Sequence, residues 1–184
     1  MRALVLYIKD KSIKKELFNI LYSMIGNHSK HIENKGIDIF YHNHDNDEEI
    51  KGLLYSLSTE FMIPIKGYYS RDLDIEKLNE EVNLITPFLE NAEFDIYNIK
   101  AIIPYFKDNN DKKRFLNYII SNSGISIDFI KKFAECDLNV SLASKRMFIH
   151  RNTMIYKLDK FYEASGFDLR HFVDSYLLYS LIVY

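Results

Sequence analysis

Apolar positions in the first hundred residues follow two periods, one typical of strands and one typical of helices. Residues 3–8 form a short apolar run, and in residues 37–41 isoleucine and tyrosine occupy every second position, which predicts two strands. Strand-like runs also cover residues 62–69 and 92–97, and Pro64 predicts that the first of these has an irregular start or lies at a sheet edge.

Between these runs, apolar residues recur at spacings of three and four, the period of an amphipathic helix. The three stripes lie within residues 13–24, 50–57 and 74–89, and Asp47 or a neighbour is placed to cap the second. The resulting order, βαβαβαβ, predicts one sheet covered by helices in an α/β or α+β arrangement of roughly a hundred residues.

The second half of the chain has a helical pattern throughout. Polar residues 109–112 separate the halves and predict a boundary near residue 108, between domains 1–108 and 109–184. Gly166 is placed to end the fourth of five helices. These helices are predicted at residues 112–122, 126–136, 140–147, 151–163 and 171–184. The predicted fold class is therefore α+β, a small sheet-and-helix domain followed by an all-α domain.

Composition limits the kinds of protein this chain can be. With 184 residues, 47% hydrophobic and 15% aromatic, it can bury a sizeable core. The single cysteine, Cys136, excludes an internal disulfide framework and a multi-cysteine zinc module. The apolar stretch 173–184 is too short to span a bilayer and suits a buried or dimer-forming helix, and the N-terminus lacks a signal-peptide cleavage pattern. We expect a soluble, cytoplasmic protein with no membrane association.

Charge is distributed unevenly along the chain. The net charge is −2, which argues against a protein that coats nucleic acid nonspecifically. Residues 129–161, however, carry seven basic and three acidic side chains, while residues 1–128 have a net charge of −4. This uneven distribution of charge is expected when one end of the protein binds phosphate and the other end has a different partner.

The run NVSLASKRMFIHRNTMIYKL, residues 139–158, has the pattern of a short helix, a tight turn and a second helix. Such a pair can insert its second helix into a DNA major groove. If the second helix is regular, three residues pack inward, Met154, Leu158 and Phe161. Four then point outward, Asn152, Tyr156, Asp159 and Lys160.

The first turn of that second helix carries the side chains best suited to DNA. Arg151 and Asn152 are predicted to contact base edges, since arginine and asparagine can form paired hydrogen bonds with guanine and adenine. Four side chains are predicted to contact phosphates, Thr153, Lys145, Lys157 and Lys160. Tyr156 is predicted either to pack on the sugar-phosphate backbone or to cover a neighbouring helix, and His150 is interpreted as a helix-start or packing residue.

Residues LASKRMFIHRNTMIYKL, followed by SGFDLR, resemble the C-terminal helix-turn-helix of the PucR/CdaR family of bacterial transcription regulators, over about residues 125–184. They resemble the DNA-binding end of Fis more loosely. The resemblance implies that the helix from Arg151 reads the major groove while the preceding helix, with Lys145, braces it against the backbone. The chain departs from the family pattern at Ser144, usually alanine, at Lys157, commonly arginine, and at Ile155, frequently basic.

The first half is similar to the degenerate GGDEF-like domain that precedes this helix-turn-helix in CdaR-type regulators, through IDIFYHN, IPIKGYYSRDL, IEKLNEEVNLITPFLE and FDIYNIKAIIPYF. A cyclase would need a GG(D/E)EF turn, and this sequence contains none. We therefore interpret the domain as noncatalytic, serving dimerisation or signal relay. The family's usual sensor domain has no room in 184 residues, so a partner protein, a ligand of the small domain or the expression level is expected to carry the signal.

Other candidate sites have simpler interpretations. Histidine and aspartate can bind transition metals, but the spacing of His28, His31, His42, His44, Asp45 and Asp47 favours solvated turns. The basic cluster at residues 112–114 is interpreted as a solvated helix start. No P-loop, G-x-S-x-G elbow or H-E-x-x-H helix is present, so we expect no catalysis, cofactor or metal.

The sequence thus predicts a transcription regulator that binds double-stranded DNA as a homodimer on a palindromic site. Two alternatives stay open. One is a metabolite- or nucleotide-binding module whose helix-turn-helix is vestigial, and the other is an interaction protein that heterodimerises with a full-length regulator.

Overall fold

The computed structural model of the chain divides into two compact units, which we call the N-terminal unit, Met1–Tyr105, and the C-terminal unit, Phe106–Tyr184. The residues that it describes are 1–26, 29–34, 36–44, 47–62, 64–89, 91–93, 95–106, 108–121 and 123–183. Two of the residues weighed above as metal ligands, His28 and Asp45, and the side chain of Asp47 with its predicted capping role, lie outside this description.

The N-terminal unit contains five strands and three α-helices among its described residues. In chain order these are β1 (Arg2–Tyr7), α1 (Lys14–Ile25), β2 (Lys30–Asn34), β3 (Ile37–His42), α2 (Asp47–Glu60), β4 (Lys66–Tyr69), α3 (Ile75–Leu89) and β5 (Ile96–Tyr97), followed by a short 3-10 helix (Ile103–Tyr105). The strands form one sheet in the order β2-β3-β1-β4-β5.

Strand pairing places the apolar residues in register across the sheet. Three of the pairings are antiparallel, β1 with β3, β1 with β4, and β2 with β3, and Leu4 lies opposite Phe40. The pairing of β4 with β5 is parallel and sets Gly67 opposite Ile96. A Cβ atom on Gly67 would lie 2.9 Å from the Ile96 side chain, so glycine is needed for these strands to approach.

The two faces of the sheet are covered by different helices. On one face Leu4 and Phe40 pack with Leu17 of α1 and Leu54 of α2 in a fully buried cluster. On the opposite face the strands contact α3, and two tyrosines bind it directly: the Tyr68 hydroxyl donates a hydrogen bond to Glu81, and the Tyr41 hydroxyl donates to Asn79 over 2.9 Å. The predicted sheet covered by helices is confirmed.

Strand β2 is an addition to the predicted order. Its sequence, KHIEN, has mostly exposed side chains, and Ile32 is itself 37% exposed. A strand that lies at a sheet edge and buries little has no apolar alternation for a sequence pattern to detect. The predicted βαβαβαβ order therefore becomes βαββαβαβ.

The C-terminal unit contains only helices among its described residues, as the predicted fold class requires. They are α4 (Asn109–Ile120), α5 (Ile127–Ala134), α6 (Val140–Arg146), α7 (Arg151–Ser165) and α8 (Phe172–Val183). Their contacts connect α8 with α4 and α5, and α7 with α4 and α6. Within the described ranges, no helix is long and apolar enough to cross a membrane.

Helix α4 begins earlier than the sequence pattern predicts. Polar residues 109–112 were interpreted as a separator, but they form the first turn of the helix. The Asp108 side chain caps this turn by accepting a hydrogen bond from the Asp111 amide over 2.8 Å, and the bond holds the pKa of Asp108 below its ordinary value. Polar residues are common in a capped first turn, so polarity alone was misleading here.

Candidate nucleic-acid interface

Helix α6 is short and firmly capped. The Asn139 side-chain oxygen accepts hydrogen bonds from the amides of Ser141 and Leu142, each over 3.0 Å, which satisfies two donors that a helix start leaves unpaired. Ala143 and Ser144 are buried on the inner face, while Lys145 is exposed in the last turn. The cap and the buried face together fix where Lys145 is presented.

The turn between α6 and α7 consists of four residues, 147–150. The Ile149 amide donates to the Ser144 carbonyl over 2.9 Å, and Phe148 adopts a left-handed conformation with φ of 55°. His150 then begins α7, because its Nδ1 accepts a hydrogen bond from the Asn152 amide over 3.3 Å. The interpretation of His150 as a helix-start residue is confirmed.

The inner face of α7 matches the predicted pattern. Met154, Leu158 and Phe161 are completely buried, and Gly166 ends the helix in a left-handed conformation with φ of 77°, the usual role of a glycine at this position. Burial at three successive turns means that α7 cannot rotate about its axis without breaking the core. Its outer face therefore has a defined orientation.

The outer face of α7 begins with three exposed polar side chains, Arg151, Asn152 and Thr153. Tyr156 follows one turn later and is 64% exposed, and Lys160 is exposed beyond it. Asp159, also predicted to point outward, is only half-buried and forms an ion pair with Arg170 over 2.7 Å. The free amide groups at a helix start favour an anion such as phosphate, so this turn is suited to nucleic acid.

Two lysines of α7 lie close to the turn before α5. The Lys157 Nζ donates a hydrogen bond to the Gly124 carbonyl over 3.1 Å, and a Cβ atom on Gly124 would lie 3.7 Å from the Lys160 Nζ. Lys157 is therefore already held within the protein, whereas the Lys160 side chain passes the same turn and is exposed.

Part of the local positive charge is used internally. Arg146 donates to the Glu135 carbonyl over 3.3 Å and lies 3.6 Å from the Glu135 carboxylate, and Lys132 pairs with Asp128 over 2.7 Å. Exposed pairs of this kind add little stability, but they reduce the charge that a DNA phosphate would meet. The exposed basic side chains of residues 129–161 outside these pairs are Lys131, Lys145, Arg151 and Lys160.

The end of α7 is tied to the segment that leads into α8. Arg170 donates hydrogen bonds to Asp168 over 2.8 Å and to Asp159 over 2.7 Å. Burial raises the pKa of Asp168, but the hydrogen bonds from Arg170 outweigh it and hold that pKa below its ordinary value. The buried Asp174 carboxylate accepts from the Asp168 amide over 2.8 Å. The sequence analysis singled out the segment SGFDLR, residues 165–170, but missed these roles of Arg170 and Asp174, since contacts between helices leave no periodic signal.

Two of the histidines considered as metal ligands, His31 and His44, lie against carboxylates. His31 lies 3.1 Å from the buried Asp38, which also pairs with Lys14 over 2.6 Å, and His44 lies 3.3 Å from Glu49. Across the described part of the chain, no group of three or more potential metal-ligating side chains is gathered at one place.

Phe148 is a residue that sequence reasoning did not single out. It is 98% exposed, and a bulky side chain in the left-handed region costs about 1–3 kcal/mol. Phe148→Gly is expected to raise the free energy of unfolding by about 0.5–1 kcal/mol, because relief of this strain exceeds the backbone entropy that glycine adds to the unfolded chain. Urea unfolding measures the change.

The matched control for this substitution is Phe148→Ala, which removes the ring but keeps a Cβ atom in the left-handed region. It is expected to leave the free energy of unfolding below that of the glycine variant. Equal stability of the two variants would contradict the assignment of strain to the backbone of Phe148.

The geometry of α6 and α7, with a buried inner face and an exposed polar first turn, is that of a helix-turn-helix. Comparison with known families agrees: residues 127–182 match the PucR C-terminal helix-turn-helix domain. The predicted resemblance is confirmed for this part of the chain, and it supports a DNA-binding regulator.

Sequence similarity to a known protein extends beyond this domain. The uncharacterized protein YxkF of Bacillus subtilis (strain 168) is 42% identical over 145 residues, an alignment that covers 72% of this chain and 49% of YxkF. This chain therefore matches about half the length of that relative. A crystal structure of a regulator of polyketide synthase expression from Bifidobacterium adolescentis covers 98% of this chain and 77% of its own, with a TM-score of 0.47 and 12% identity.

Proposed function

We propose that the protein is a sequence-specific transcription regulator that binds double-stranded DNA through α6 and α7. The observation that carries this proposal is the exposed first turn of α7, where Arg151, Asn152 and Thr153 stand on a helix fixed by three buried residues of its inner face. In this proposal Arg151 and Asn152 contact base edges. Phosphates are contacted by Thr153, Lys145, Lys160 and, if it leaves the Gly124 carbonyl, Lys157, with Tyr156 on the sugar-phosphate backbone.

The site residues can be tested by comparing variants that remove charge at different places. Arg151→Ala is expected to weaken binding to the preferred site by about 1–3 kcal/mol and to relax specificity, because a base contact is lost. Lys160→Ala is expected to weaken binding to all DNA sequences alike, since a phosphate contact carries no sequence information. Gel-shift titrations on genomic fragments selected by the wild-type protein measure both effects.

Lys15→Ala provides the control, because it removes the same charge from an exposed position on α1 in the N-terminal unit. It is expected to leave DNA binding unchanged. If Arg151→Ala and Lys160→Ala bind every fragment as the wild type does, the assignment of this face to DNA is wrong.

We also propose that the protein acts as a homodimer on a palindromic site. Two copies of α7 related by a two-fold axis would enter successive major grooves about 34 Å apart. The surface suited to a second copy lies on α8, where Phe172, Val173 and Tyr176 are 71%, 63% and 56% exposed. The rings of Phe172 and Tyr176 stack at 5.9 Å beside a cavity of about 410 Å³, so a partner side chain would find an apolar recess there.

Tyr176→Glu is expected to convert the dimer into a monomer and to weaken DNA binding, because a charge would be buried in the interface. Light scattering coupled to size exclusion gives the mass of the species. Met62→Glu is the matched control, since Met62 is 90% exposed in the N-terminal unit. A wild-type protein that is monomeric and binds DNA only with a full-length relative would favour the heterodimerising alternative instead.

The N-terminal unit is proposed to be a degenerate GGDEF-like domain, covering about residues 1–108, that serves dimerisation or signal relay and has no catalytic activity. Its support is the sequence, which contains no GG(D/E)EF turn of the kind that a cyclase needs for metal and nucleotide. We also propose a cytoplasmic location. Its support is the proposed DNA-binding role of the C-terminal unit, and no long apolar helix is present in the described ranges.

A further inference from the structure

The N-terminal unit contains a cavity of about 680 Å³ at the end of the sheet where β3 finishes and β2 begins. Its walls come from the end of α1, from the two strands and from the start of α3. Much of the lining is apolar, with contributions from Met24, Ile25, Ile32 and Ile75. A space of this size is large enough for a small organic molecule.

Three polar side chains that line this cavity have a buried nitrogen or oxygen without a hydrogen-bond partner among the described residues. They are His42, 4% exposed, at both ring nitrogens, Ser29 at its hydroxyl, and His44 at Nε2, which lies 3.3 Å from the Glu49 carboxylate. A buried polar group that lacks a partner costs about 1–3 kcal/mol, and folded proteins rarely leave such groups unsatisfied. Such groups gathered in one cavity leave hydrogen-bond donors and acceptors that a bound molecule can satisfy.

The surrounding charge indicates what kind of molecule fits. Burial lowers the pKa of His42 to about 4, and the nearby His44 and Arg2 side chains act in the same direction, against a smaller opposing effect of the His44 main chain. The His42 ring is therefore neutral near pH 7 and can donate one hydrogen bond. The Arg2 guanidinium and the ammonium group of Lys30, which lies on the cavity wall, favour an anion here.

We propose that this cavity is a binding site for a small organic anion, a carboxylate carried on an apolar body. The carboxylate accepts hydrogen bonds from the His42 ring and the Ser29 hydroxyl, and the apolar body lies against Met24, Ile32 and Ile75. Hydrogen bonds to an ionised acceptor are stronger than those between neutral groups, so a carboxylate suits these donors better than a neutral group. The site lies wholly within the N-terminal unit and does not depend on the proposed DNA contacts.

The test uses the full chain and four probes: hexanoate, benzoate, hexanamide and inorganic phosphate. Saturation-transfer NMR detects binding, and thermal unfolding detects the stabilisation that a ligand in excess produces. At least one of the two acids is expected to bind and to raise the melting temperature by about 2–4 °C. Hexanamide lacks the charge and phosphate lacks the apolar body, so both are expected to bind much more weakly.

Two variants connect binding to the proposed donors. His42→Gln and Ser29→Ala are each expected to weaken binding of the acid about tenfold, which corresponds to the loss of one hydrogen bond to a charged group. Ser29→Ala is also expected to leave the stability of the unliganded protein unchanged or higher, because its hydroxyl has no partner to lose. This variant keeps the test valid if His42→Gln does not fold.

His171→Gln and Arg151→Ala serve as controls, since both residues are exposed in the C-terminal unit. Both are expected to bind the acid as the wild type does, so failure of the DNA-binding proposal and failure of this proposal are distinguishable. The proposal is overturned if neither acid binds, if hexanamide or phosphate binds equally well, or if Ser29→Ala retains full affinity for the acid.

Discussion

Phe161→Ala is expected to lower the free energy of unfolding of the C-terminal unit by about 3–5 kcal/mol, the range for removing a large aromatic side chain from a core. Phe161 is completely buried on the inner face of α7, between Leu158 and the end of the helix at Gly166. The substitution leaves a cavity under the helix that presents Arg151. Chemical unfolding followed by circular dichroism measures the loss of stability.

Tyr162→Ala is the control for this prediction, because Tyr162 is the next residue along α7 and is 50% exposed. Removal of this side chain is expected to lower the free energy of unfolding by less than about 1 kcal/mol, as is usual for surface substitutions. DNA binding should fall with stability in Phe161→Ala and recover when the unit is kept folded at low temperature. Similar losses of stability in the two variants would contradict the placement of Phe161 in the core.

Lys14→Met is expected to destabilise the N-terminal unit by about 3–5 kcal/mol, because it leaves a buried carboxylate without its main counter-charge. The Asp38 carboxylate is completely buried and lies 2.6 Å from the Lys14 Nζ. Its second contact, to His31 over 3.1 Å, carries charge only when that ring is protonated. Thermal and chemical unfolding of the variant measure the change.

Lys15→Met makes the same chemical change at the adjacent position, which is exposed. It is expected to change the free energy of unfolding by less than about 0.5 kcal/mol. The double variant Lys14→Met with Asp38→Leu should recover much of the lost stability, since apolar residues of similar size often replace a buried ion pair without loss. If Lys14→Met lowers the free energy of unfolding no more than Lys15→Met does, the pair of Lys14 and Asp38 is not buried in solution.

The sequence pattern was sufficient where one face of an element is buried and the other is exposed. This condition holds for α7. Its inner residues are the predicted ones, and its end, predicted at residue 163, lies two positions later at Ser165. It fails for β2, an edge strand with a mostly polar sequence, and for the first turn of α4, where the capping residue Asp108 precedes further polar residues. In both places the structure depends on pairing or capping partners rather than on apolar spacing.

The position of the candidate site on α7 was predictable for a related reason, while its contacts with DNA stay a prediction. Spacing placed Asn152 on the outer face and Arg151 and Thr153 in the first turn, and all three are exposed there. The strain at Phe148 and the hydrogen bond from Lys157 to Gly124 could not, because they depend on backbone angles and on a contact across 33 positions. The cavity around His42 could not be predicted either, because its walls depend on the register of the strands.

The hydrogen bond between Lys157 and the Gly124 carbonyl has a consequence for how DNA binding responds to ionic strength. Each lysine that pairs with a phosphate releases a condensed counterion and steepens the dependence of log affinity on log salt by about 0.9. A lysine that stays on a carbonyl of its own protein releases none. If Lys157 keeps this bond in the complex, DNA affinity falls less with rising salt than the number of basic residues in this segment suggests, and the regulator would hold its site more evenly when the ionic content of the cell changes.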